Sequence, residues 1–84
     1  MNITIKPNSY YKLYYYGYPN SYSLCHTNTT QMYKIAQKTG TYKPLYKFNT
    51  PLMCMTIENW QEYINTHYII IEEISKEDLF LELL

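Results

Sequence analysis

The sequence predicts an α+β domain, a small and mainly antiparallel sheet of four to five strands including a tyrosine-rich N-terminal hairpin, with two to three helices packed on one face. Three observations carry that expectation. Tyrosine-rich runs flank a Gly17-Tyr18-Pro19-Asn20 turn; Tyr68 to Ile74 has the β-branched composition of a central strand; and Thr56 and Ser75 each precede acidic residues in the manner of helix starts. The 84 residues, 46% apolar and 17% charged, are expected to form a single domain over 1–84. Such a chain buries about 60 to 65% of the surface its unfolded form exposes, which leaves little room for a deep cleft.

Asn2 to Lys6 alternates Ile3 and Ile5 with polar neighbours and is expected to be a strand ended by Pro7-Asn8-Ser9. Tyr11–Tyr16 and Ser21–His26 form the hairpin, because Pro sets φ for a turn and Gly and Asn tolerate positive φ. With a four-residue loop Tyr16 opposes Ser21. That register places Leu13, Tyr15, Tyr22 and Leu24 on the core face, and Lys12, Tyr14, Tyr16, Ser21, Ser23 and Cys25 on the other; a slip of one residue exchanges such assignments.

Thr29 or Thr30 is expected to cap a helix through Lys38, with Met32, Ile35 and Ala36 as its apolar stripe and Gly40 as its terminator. Residues 42–48 read as an edge strand, since Pro44 cannot donate to a ladder. Residues 51–55 read as a short strand, with a helix opened at Thr50-Pro51 as the alternative. A helix from Ile57 to about Asn65 follows, capped by Thr56, with Glu58 near the positive end of its dipole and Ile57, Trp60 and Ile64 facing the sheet. After the strand at 68–74, Ser75 starts a last helix. Its Leu79, Phe80, Leu83 and Leu84 are too apolar for water and are expected to pack on the sheet or on another chain.

The net charge of zero conceals a division. Six of seven lysines lie in the first 47 residues, all seven acids lie from Glu58 onward, and there is no arginine. Either the halves form faces of opposite potential or folding interleaves them. The N-terminus lacks the apolar core of a signal peptide and no aliphatic run approaches a membrane span, so the expected location is the cytoplasm, the host's if the chain is phage-encoded, with no membrane partner. Abundant Tyr, Asn, Ile and Lys without Arg also suit an A/T-rich genome.

Catalytic and metal chemistry find poor footing. Cys25, His26, Cys54 and His67 are zinc-ligand types without ligand spacing, since adjacent strand residues point to opposite faces and no C-x2-C or H-x3-H pair exists. A Cys/His hydrolase would need an activated thiolate and an oxyanion turn, and neither glycine flanks a cysteine. The pairs Glu58/Glu62 and Glu73/Glu77 have acid/base composition, but the first is spaced as a solvated helix face. No enzyme activity, metal or cofactor is expected.

Two binding readings stand. Tyrosine offers large amphipathic contact area at little entropy cost, so a protein-binding module is favoured. Its contacts are expected at Tyr14, Tyr16 and Tyr18 as anchors, with Glu72, Glu73, Glu77, Asp78 and Glu82 as steering charges that imitate nucleic-acid phosphates. The profile suits a phage or mobile-element inhibitor of a host defence nuclease or nucleoprotein complex, such as an anti-CRISPR protein. The alternative is a single-strand nucleic-acid binder using Lys12, Tyr14, Tyr16, Lys43 and Lys47, cations for phosphates and rings for bases. A homodimer is a further expectation, through a strand edge or the terminal LFLELL segment.

Overall fold

The computed structural model describes residues 3–38 and 54–84. Along the chain come β1 (Tyr10–Tyr15), β2 (Tyr22–Thr27), β3 (Gln31–Lys38), β4 (Cys54–Thr56), α1 (Ile57–Thr66), β5 (Ile69–Ile74) and α2 (Lys76–Leu83). The strands form one antiparallel sheet in the order β4-β3-β2-β1-β5, so the α+β architecture matches the expected one. The expected strand at 42–48, with Tyr42, Lys43, Tyr46 and Lys47, lies outside the described residues.

The β1–β2 hairpin forms, with its register moved by one residue. Tyr14 opposes Tyr22 and Leu13 opposes Ser23. The loop starts earlier than Gly17: Tyr18 N–H donates to Tyr15 C=O, and Gly17 at φ 87° occupies the position where a tight turn needs positive φ. Tyr16 is thereby drawn into the turn. The shift leaves Leu13 and Tyr15 on the expected face but sends Tyr22 and Leu24 to the other, and brings Ser21, Ser23 and Cys25 in beside Leu13.

The helix expected through Lys38 is instead strand β3. Asn28 Oδ1 accepts from the N–H groups of Thr30 and Gln31 at 3.0 and 2.8 Å, which makes 28–30 a hairpin loop rather than a helix cap. A register shift at Leu24/Cys25 leaves Ile35 as an extra residue, since Cys25 opposes Lys34 while Leu24 opposes Ala36. The expected stripe therefore shares no single face: Met32 is buried in the main core, Ile35 at the bulge is exposed, and Ala36 lies opposite Leu24.

Residues 3–6 form no strand either. Gln61 of α1 pins this segment, accepting from Ile5 N–H at 2.8 Å and donating to Ile3 C=O, while Tyr11 OH accepts from Lys6 N–H. Ile5 is buried in consequence.

Helix α1 forms as its sequence directs. Thr56 Oγ1 accepts from Asn59 N–H at 3.1 Å, Glu58 occupies the first turn, and Trp60 and Ile64 are buried. These two pack with Tyr11, Leu13, Cys25, Met32, Ile69 and Ile71 in the main core. Trp60 Nε1–H donates to Met32 C=O at 3.0 Å, tying helix to sheet. On the opposite face, Leu24 and Leu79 of α2 are buried, and Tyr22 OH reaches α2 at Glu82. The two helices are thus divided between the faces of the sheet.

Candidate functional site

The face under α2 is built from three rows set by strand register. Tyr14 lies between Tyr22 and Ile70, Lys12 between Leu24 and Glu72, and Tyr10 between His26 and Ile74. Ser75 caps α2 by accepting from Asp78 N–H at 3.0 Å and directs the helix back over these rows.

Between sheet and helix lies a groove of about 310 Å³ lined by Lys12, Glu72, Ile74, Asp78, Leu81 and Glu82. Two of its three carboxylates accept hydrogen bonds from tyrosines. Tyr14 OH donates to Glu72 Oε2 at 2.5 Å, and Tyr22 OH donates to Glu82 Oε1 at 2.7 Å. The bond to Glu72 is the main cause that pushes the Tyr14 phenol up to about 12, with burial second. For Tyr22, also pushed up to about 12, burial comes first and the bond to Glu82 second. Lys12 Nζ lies 4.2 Å from the centre of the Tyr22 ring, a cation–π contact inside this acidic surround.

The sequence-predicted acids are therefore split. Glu72, Asp78 and Glu82 line the groove and Glu77 is exposed on α2. Glu73 faces the other way, opposite Tyr11, and pairs with Lys6 at 3.1 Å. Two of the lysines of the basic half thus meet acids of the other half, Lys6 at Glu73 and Lys12 beside Glu72, and at these places the charge division is interleaved.

The predicted tyrosines divide as well. Tyr14 belongs to the groove, whereas Tyr16 and Tyr18 line a separate cleft of about 520 Å³ with Tyr15, Thr66, His67 and Tyr68. His67 is held there by stacking on Tyr63 at 3.9 Å, with its Nδ1 2.9 Å from Tyr63 C=O. Tyr16 is 72% exposed and Tyr68 86%. Lys43 and Lys47 of the nucleic-acid reading lie outside the described residues.

Sequence reasoning missed Tyr22, expected in the core, and Tyr68, expected inside a central strand; among the described strands β5 comes at the end of the order, and Tyr68 precedes it in a turn. It also expected cover for the apolar residues of α2. Of these Leu79 alone is buried, while Phe80, Leu81, Leu83 and Leu84 are exposed in the chain by itself.

Cys25 lies in the main core and burial pushes its thiol up to about 12, against a smaller opposing effect of Lys34. His26 is on the reverse face, with Nδ1 2.7 Å from Tyr33 OH and its ring 4.6 Å from Tyr10. Among the described residues no three His, Cys, Asp or Glu side chains are grouped to hold a metal ion. Among the same residues, no helix is long and apolar enough to cross a membrane. Comparison with protein-family models, with curated proteins and with solved structures finds no match to this chain.

Proposed function

We propose that the protein is a small non-enzymatic binding module that acts by occupying a surface of a larger protein partner, in the manner of a phage or mobile-element inhibitor of a host defence nuclease. The supporting observation is the pair of immobilised carboxylates. Glu72 of β5 and Glu82 of α2 are each held by a sheet tyrosine, and Glu77 and Asp78 stand on the first turn of α2. Fixed acids lose little freedom on docking and suit a basic groove that otherwise takes phosphates. Exposed Phe80 and Leu81 beside them, and Tyr16 and Tyr68 at the neighbouring cleft, are of the residue types that bury well at protein interfaces.

Lys12 weighs against the single-strand nucleic-acid alternative. It is engaged by the Tyr22 ring and shares its groove with three carboxylates, a surround that repels phosphate.

The test is capture from bacterial lysate with the purified protein as bait, followed by assay of the captured protein's nucleic-acid binding with and without the bait. The expected result is enrichment of a nucleic-acid-binding protein that loses its substrate, with both effects diminished by E77Q/D78N or by Y16A. No enrichment, or capture indifferent to these variants, overturns the proposal. Saturable, salt-sensitive titration of single-stranded oligonucleotides, weakened by K12Q, would establish the alternative instead.

A further inference from the structure

We infer that the cleft between the β1–β2 turn and the end of α1 takes an arginine side chain of another protein, its guanidinium lying among tyrosine rings at the negative end of the helix. The cleft measures about 520 Å³ and is lined by Tyr15, Tyr16, Tyr18, Thr66, His67 and Tyr68. It is open to solvent, with Tyr16 72% and Tyr68 86% exposed. No lysine and no carboxylate stands among these lining residues, so rings and backbone dipoles set its field.

Both contributions favour a cation. The face of a tyrosine ring carries the negative side of its quadrupole, and four of the six lining residues are tyrosines. Helix α1 ends here, with Thr66 its last residue and His67 its cap, and its last turn has no basic side chain to offset the negative end of the dipole. His67 directs its backbone N–H and its Nδ1 to Tyr63 C=O, at 3.1 and 2.9 Å. Beyond it, Ile69 N–H bonds to His67 C=O at 2.7 Å and Ile70 enters the β1 ladder, so no N–H of a next helical turn reaches the carbonyls of Asn65 and Thr66. These carbonyls are acceptors at the helix end.

Acceptors beside rings select among cations. A quaternary ammonium has no hydrogen to donate, and the lysine ammonium is a compact, strongly hydrated charge. A guanidinium is flat, weakly hydrated and carries five N–H donors, so it can stack on a phenol ring and donate to carbonyls at its edge. This chain contains no arginine, so neither the chain itself nor a second copy fills the cleft in this way. The occupant belongs to a different protein, and arginine is the side chain best shaped to grip phosphates. The inference thus rests on the reading of a partner with a basic, phosphate-binding groove, and it assigns the contact that Tyr16 and Tyr68 make there.

NMR titration of the wild-type protein with N-acetyl-arginine methylamide is expected to give saturable shifts at Tyr16, Thr66, His67 and Tyr68, with a dissociation constant on the order of millimolar. The citrulline analogue, equally flat but uncharged, should bind at least about fivefold more weakly, and the lysine analogue should fall between the two. Y16L and Y68L should each weaken arginine binding about two- to fivefold, whereas Y16F and Y68F keep the ring and most of the affinity. Both side chains are largely exposed and the bond between Tyr16 and Tyr68 joins backbone groups, so these variants leave the fold in place. No saturable shift at the cleft overturns the inference, as does citrulline binding equal to that of arginine. Tighter binding of uridine monophosphate also overturns it, since the rings would then serve nucleobases. The titration needs no partner, so the two readings fail separately. Arginine binding with no capture from lysate sinks the partner reading alone; capture that depends on Glu77 and Asp78, by a protein indifferent to arginine, sinks the cleft alone.

Discussion

Thr27 shows how much a single buried hydroxyl can organise. It is fully buried, donates to Lys6 C=O at 2.6 Å and accepts from Ser9 N–H at 2.9 Å, so it ties the N-terminal segment to β2. Thr27→Val keeps the shape and orphans both backbone groups; urea unfolding is expected to show a loss of about 1–3 kcal/mol. Tyr14 and Tyr22 supply a second prediction, in alkali. Their phenols are held from the ordinary 10.0 up to about 12. Between those values the unfolded chain has released protons that the folded one keeps. Stability is therefore intact below pH 10 and falls as pH rises towards 12. Phenolate absorbance should show these tyrosines ionising late, and Y14F/Y22F should flatten the fall. Nothing in the sequence distinguishes Tyr14 and Tyr22 from the other tyrosines, because their partners Glu72 and Glu82 lie 58 and 60 residues away.

The elements that were legible are those fixed by their own neighbours. Thr56 caps α1 and Ser75 caps α2, each through the N–H three residues on, as the sequence leads one to expect. Thr56→Ala is expected to cost about 1 kcal/mol in thermal or urea unfolding, and T56S to restore most of it. β3 was illegible for the complementary reason. Met32, Ile35 and Ala36 fit a helical stripe, and only pairing with β2 reveals that Ile35 is the additional residue of a bulge. The hairpin register failed by one residue because Tyr16, a strand former by type, is used in the turn ahead of Gly17.

At the scale of the whole molecule, β1 is the central link. It joins the hairpin on one side and β5, nearly sixty residues later, on the other, so the late pairing closes the core. Ile69→Ala, at a position 1% exposed, removes part of the core cluster that also holds Trp60 and Ile64 of α1 and is expected to cost about 2–5 kcal/mol, read as a lower urea midpoint. The same closure brings the basic and acidic halves of the chain together, as Lys6 with Glu73 and Lys12 beside Glu72. By itself the sequence determined the α+β class, the tyrosine hairpin, both helix caps and the apolar face of α1, because each rests on contacts within a few residues. The tertiary structure decided the nature of β3, the hairpin register, the face each tyrosine occupies and which acids it holds. Those depend on the strand alongside, and a one-residue change in pairing reverses a strand's faces without altering its local preferences.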